Sequence, residues 1–266
     1  MAKLSLSRAW DETKAVLGRD GRLIGVVALA MFFLPGVVAG VVAPKGGSEL
    51  PGSTNEALLM TVVAVIGLIG QLSIIRLALG ERSTVGEAIG YGARRAPSYL
   101  AATILWIAPF AIGFYLFGVE ALRAPADVGG MDLLAMLLLL CLLVFISVRM
   151  MMTSSVASAE RAGPIDILRR SWQLTRGHWW KLFAFFILFL IVVLIVMAAV
   201  GAAAGILAAL LFRDIEPMSV GALLVAVLTQ LATAILTTGF LVMLARIYTQ
   251  LSGPAHADVS VPSSGT

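Results

Sequence analysis

The residues best suited to chemistry lie in one short stretch: Arg169, Arg170, Arg176, His178, Trp179, Trp180 and Lys181. Four fixed cations beside paired indoles can hold an anionic lipid headgroup, the cations meeting phosphate and the indoles packing on glycerol and upper chains. A second reading stands beside it, in which Trp179 and Trp180 form an aromatic belt and the cations only set orientation. Little else offers chemistry. Cys141 lies in an apolar run, and with one cysteine the chain has no internal disulfide and no cysteine-based metal site. His178 and His256 are the only histidines, so no metal or cofactor is expected. No Gly-x-Ser-x-Gly elbow, phosphate loop or His-Glu-x-x-His motif occurs, and no catalytic residue is named. Nothing beyond basic loops points to nucleic acid.

The elements that must position this stretch follow from composition. Of 266 residues, 60% are hydrophobic and 13% charged, about half the charged share of an ordinary soluble domain. Six uncharged runs are long enough for spanning helices: Leu23–Val42, Ala57–Ile75, Tyr99–Val119, Leu133–Val148, Leu182–Leu211 and Val220–Leu244. The fourth is short and is expected to continue past Arg149 into Met150, Met151 and Met152, since arginine can snorkel from a helix end. The fifth is too long for a perpendicular span and must tilt, kink or project. Continuous apolar runs favour helices over the alternating strands of a barrel. The first run is expected to be retained as a span, because Asp11, Glu12 and Asp20 precede it, unlike the short basic start of a signal peptide.

Sixteen of the 19 basic residues fall in the N-terminal segment, the second and fourth loops and the C-terminal tail. Lys45, Arg123 and Arg213 are on the other side, and acidic residues divide almost evenly. The positive-inside rule therefore places both termini in the cytoplasm.

A threefold pattern runs through the chain. The even-numbered spans end at Arg76, Arg149 and Arg246, and each odd-numbered span follows an amphipathic segment. The expected fold is all-α, six spans arranged as three units of interfacial helix plus helical hairpin, at about 4–75, 83–148 and 164–245. A membrane domain then covers 1–251, and the Ser-, Pro- and Gly-rich 252–266 forms a disordered cytoplasmic tail. Thr84-Val85-Gly86-Glu87 has capping-box spacing. Pro164 and Asp166 suit a first helical turn, with Ile165, Leu168 and Trp172 as the apolar stripe of that helix. Inside the spans Gln71, Gln230, Thr233, Thr237 and Thr238 suit interhelical hydrogen bonds or a substrate path. Gly36-x-x-x-Gly40 and Gly201-x-x-x-Gly205 permit close helix approach, and Pro35 and Pro109 can break their helices locally.

The run Ala162-Gly163-Pro164-Ile165, followed by Leu168-Arg169-Arg170-Ser171-Trp172-Gln173-Leu174-Thr175-Arg176-Gly177-His178-Trp179-Trp180-Lys181-Leu182, resembles a recurrent stretch of one bacterial family. That family is the membrane domain found with some glycerophosphoryl diester phosphodiesterases, together with related stand-alone multi-spanning proteins of unknown function. Gly86-Glu87-Ala88 to Arg94-Arg95-Ala96-Pro97 is similar to the family's other loop. The resemblance implies a multi-pass bacterial inner-membrane protein. It implies no enzyme, because the family's phosphodiesterase activity belongs to a separate soluble barrel and no stretch here could form it. The function expected is therefore a non-enzymatic scaffold or accessory factor engaging membrane lipids, anionic ones by way of the basic stretch, or a membrane-protein partner. The alternative is an uncoupled transporter, lipid-translocating protein or channel subunit, against which the lack of a mid-span Asp, Glu, Lys or Arg counts. The sequence names no oligomeric state.

Overall fold

In a computed structural model, residues 4–42, 54–80, 84–123, 129–212 and 219–253 are described. All regular structure among them is helical. The elements are α1 (Leu6–Ala28), a π-helical segment (Leu29–Phe33), α2 (Leu34–Val42), α3 (Thr54–Ala78), α4 (Val85–Arg123), α5 (Gly130–Met150), α6 (Thr153–Ala159), α7 (Pro164–Thr175), α8 (Trp179–Leu211) and α9 (Val220–Ser252). Six stretches are long and apolar enough to cross a membrane; five contain the expected runs whole, and the third, Val85–Leu116, covers the expected Tyr99–Val119 as far as Leu116. The expected C-terminal tail falls largely on 254–266, outside the described residues.

Local signals start these helices. The Ser5 hydroxyl accepts from the Arg8 amide at the start of α1, and the Ser219 hydroxyl accepts from the Ala222 amide at the start of α9. The capping box forms at α4: the Thr84 amide donates to Glu87 at 2.8 Å, and the Glu87 amide donates to the Thr84 hydroxyl at 3.3 Å. Pro164 opens α7, with Asp166 in its first turn.

The amphipathic segments behave differently in the three places. In the first, the helix runs on from Leu6 through the π-helical turns to Val42. In the second, α4 continues through Pro97 and Pro109 for 39 residues, about 58 Å at 1.5 Å per residue. Only the third is a separate helix, because Gly177 adopts φ +86° in the turn between α7 and α8. The fourth run does continue past Arg149, but it breaks at Met151 and Met152 before resuming as α6.

α6 is buried on nearly every side, with Thr153, Ser154, Ser155, Val156, Ala157 and Ser158 all inside. It packs against α3, α4, α7 and α9. Its C-terminal end is held by two arginines. Arg95 donates to the carbonyls of Ala157 (3.2 Å), Glu160 (2.7 Å) and Ala162 (2.8 Å), and Arg76 donates to that of Ser158 (3.3 Å). All but that of Ala162, which lies in the connection to α7, are carbonyls of a helix end, where positive charge is favourable. The Ser158 hydroxyl donates to the Leu72 carbonyl at 3.2 Å, tying α6 to α3.

Packing across the bundle is uneven. The most apolar stretches of the first, second and sixth long apolar helices are 28%, 28% and 22% buried, against 6%, 11% and 6% for the third, fourth and fifth. The tight half is built by close backbone approach. A side chain at Gly36 would collide with Gln230, and one at Gly40 would meet the Ala226 methyl at 3.0 Å. The first glycine pair therefore acts as sequence spacing suggests, while Gly201 and Gly205 have open space where a side chain would go. In the looser half, α5 presents Leu133, Leu137, Leu138 and Leu142 outward, and Cys141 is exposed among them.

Candidate functional site

The basic stretch covers the end of α7, the turn at Arg176–His178 and the first turn of α8. The structure divides its members into two sets. Arg170 donates to Glu160 at 3.0 Å, and the Tyr248 hydroxyl donates to the same carboxylate oxygen at 2.8 Å. The Lys181 ammonium donates to the Leu4 carbonyl at 3.0 Å. The Trp179 indole donates to the Phe145 carbonyl at 3.3 Å and stacks on Phe183 with 4.9 Å between centroids. His178 Nδ1 is buried without a hydrogen-bond partner. These four residues are tied into the protein. Arg169, Arg176 and Trp180 instead face outward, and Trp180 is 75% exposed.

The stripe Ile165, Leu168 and Trp172 lies beside the buried face of α7, with Leu168 on the core and Trp172 against Phe145. The buried residues of this helix are Ile167, Ser171, Leu174 and Thr175, whereas Ile165 is 65% exposed and Trp172 is 38% exposed. The reason is local hydrogen bonding. The Ser171 hydroxyl donates to the Arg149 carbonyl at the end of α5 at 2.8 Å, which turns the Ser171 side of the helix inward, while the Thr175 hydroxyl donates within α7 to the Ser171 carbonyl at 2.9 Å. The exposed flank of α7 thus carries an isoleucine, an indole and free arginines together.

The in-span polar residues mostly serve packing. The Thr233 hydroxyl donates to the Thr229 carbonyl, Gln230 lies against Gly36, and Gln71 donates to the Tyr99 hydroxyl at 3.4 Å. Thr238 is buried with its hydroxyl unpartnered. No group of three His, Cys, Asp or Glu side chains among the described residues is placed to hold a metal ion.

Sequence reasoning missed a cavity. Gln71 borders a half-open space of about 220 Å³ where α3, α4, α5, α6, α8 and α9 meet. Tyr99, Thr103, Ser147, Thr153 and Ser154 supply its other polar groups, and Trp106, Phe186 and Phe240 supply aromatic surface. No charged side chain lines it. Gln71 was the one residue whose type drew notice. The serines of α6 read as an ordinary loop until the helix folds inward.

A family model described as Domain of unknown function (DUF7847) matches residues 4–251 of the chain. No curated protein and no solved structure matches it.

Proposed function

The chain belongs to the family described as Domain of unknown function (DUF7847), and from that premise we propose that it is a multi-pass protein of a bacterial inner membrane that engages lipids as a non-enzymatic scaffold or accessory factor. The observation that carries this reading is the exposed flank of α7 and α8, where Arg169, Arg176, Ile165, Trp172 and Trp180 face outward together. Cations next to apolar and indole surface match a headgroup layer, in which phosphates meet arginine and the rings rest on upper chains.

In this reading both termini are cytoplasmic. Supporting it, Arg76, Arg95, Arg170 and Lys181 are drawn to one end of the bundle by contacts with α6, Glu160 and the N-terminal segment. The resemblance to the membrane domain of glycerophosphoryl diester phosphodiesterases remains part of the proposal, as kinship of the membrane portion alone.

The threefold repeat, with units at about 4–75, 83–148 and 164–245, belongs to the proposal too. Three parallel placements support it. α4 packs on α3, α7 on α5, and α1 on α9. Two of the arginines that end the even spans follow one rule: Arg76 lies over the Tyr91 ring of α4 and Arg149 lies over the Trp172 ring of α7, while Arg246 is on α9, which packs on α1. Trp10, Tyr91 and Trp172 are spaced 81 residues apart. Each unit's amphipathic segment thus covers the span end of the unit before it, and the third hands on to the first.

The test is replacement of Arg169 and Arg176 with Gln, leaving Arg170 on Glu160. The variant should insert normally and lose copurifying anionic lipid in native mass spectrometry after mild detergent extraction. An unchanged lipid complement in a normally inserted variant would leave these arginines as orientation signals only.

A second reading, an uncoupled transporter or lipid-translocating protein, is favoured by the half-open cavity and the sparse packing of the third to fifth spanning helices. The cavity's position weighs against a midplane transport site. Gln71 precedes Arg76 by five residues, about 7.5 Å along the helix, and Ser147 precedes Arg149 by two.

A further inference from the structure

We infer that the cavity beside Gln71 is a binding site for an uncharged amphiphile, a molecule with a hydroxyl or carbonyl head and an apolar tail such as a diacylglycerol. The walls specify this chemistry. Trp106, Phe186 and Phe240 offer ring faces and edges to an apolar body. No cation or anion lines the space, and an ionised ligand would lose its hydration with no opposite charge to replace it.

The polar groups have hydrogen-bonding capacity to spare. The Thr103 hydroxyl donates to the Tyr99 carbonyl at 2.9 Å, and the Thr153 hydroxyl donates to the Met150 carbonyl at 2.7 Å. Both protons are spent on backbone, so these oxygens can only accept further bonds. Ser147 and Ser154 have no partner among the described residues and can donate to a ligand carbonyl or accept from its hydroxyl. Size agrees as well. An apolar cavity of roughly 150 Å³ takes up benzene, so about 220 Å³ accommodates a ring or a short stretch of chain. The half-open mouth leaves a longer tail free to extend outside.

The inference rests on the membrane reading only for the depth of the site. A normally inserted protein that fails the test below would sink this inference and leave that reading standing.

The probe is a diacylglycerol carrying a chain diazirine and an alkyne, photoactivated with the full chain in phosphatidylcholine nanodiscs. Crosslinks are expected within 99–106 and 147–154. Excess unlabelled diacylglycerol should remove them, whereas equal phosphatidylglycerol should not. Ser147→Phe, which fills the space, should cut this labelling roughly tenfold, the equivalent of about 1.4 kcal/mol of affinity. If that variant fails to insert, Gln71→Leu, which removes a hydrogen-bonding group at similar volume, should weaken the same labelling. Labelling spread evenly over outward positions of α5 and α8, or unchanged in an inserted variant, would overturn the site. Equal competition by phosphatidylglycerol would overturn the uncharged class of ligand.

Discussion

The guanidinium of Arg149 lies 4.9 Å from the centroid of the Trp172 ring, so the last turn of α5 is clamped to the middle of α7. The Phe145 ring, edge-to-face with Trp172 at 6.2 Å between centroids, lies 5.4 Å from the same carbon. Arg149 Nε and Nη1 are buried without hydrogen-bond partners, and the two rings offer their π faces to this half-buried charge. Trp172→Phe keeps a ring face and should remain near wild-type stability. Trp172→Ala should cost about 1–2 kcal/mol, from lost cation–π attraction and lost area. Thermal unfolding of both variants in one detergent checks the order. Equal melting points would show that the clamp contributes nothing.

Arg95 bonds three carbonyls at and just past the end of α6, and its removal would leave part-buried acceptors bare. Arg95→Gln should destabilise by roughly 2–4 kcal/mol, in the range of charged hydrogen bonds lost together. Arg95→Lys should recover part of this, since it keeps the charge but not the fork. Denaturant unfolding of the three proteins gives the ranking, and the idea fails if Gln and wild type coincide.

The two glycine pairs predict opposite outcomes. Gly36→Val must displace Gln230 and push α2 from α9, at about 1–3 kcal/mol for overpacking. Gly201→Ala meets nothing within 4 Å and improves helix propensity, so stability should hold or rise slightly. Melting temperatures measured side by side decide it. A harmless Gly36→Val would contradict the close approach of these helices.

The orientation is open to direct labelling once Cys141 is replaced. Gly86 and Arg161 are exposed near the arginine-rich end, and Gly130 is exposed at the start of α5. A cysteine at Gly130 should react with an impermeant maleimide in intact cells, and cysteines at Gly86 or Arg161 only after permeabilisation. Reaction at Arg161 from outside would reverse the proposed topology.

The six long helices were legible because an apolar run of that length has few alternatives. The capping box at Thr84 and the proline start of α7 were legible for the same reason, being local chemistry. What escaped depended on neighbours. Nothing between Leu17 and Leu23 tells that α1 runs straight into its apolar half, and Pro97 lies within an unbroken α4, whereas the single left-handed residue Gly177 separates α7 from α8. The face that α7 buries against the protein was not legible, because the Ser171 hydroxyl bond to the Arg149 carbonyl sets its rotation. Of the basic stretch, the sequence showed the residue types but not the division between Arg170, tied to Glu160, and Arg169, turned outward. The cavity was invisible because it is made by six helices at once.

The π-helical turns at Leu29–Phe33, just ahead of Pro35, also bear on how this chain can change length. Elsewhere in a spanning helix, losing one residue would swing everything beyond it by about 100° and strip Gly36 and Gly40 from α9. Here the wide turns already hold one residue more than an α-helix needs. Removing Ala30 would tighten them to regular winding and leave both flanks in phase, so this is the point where the first helix can shed a residue and keep its partners.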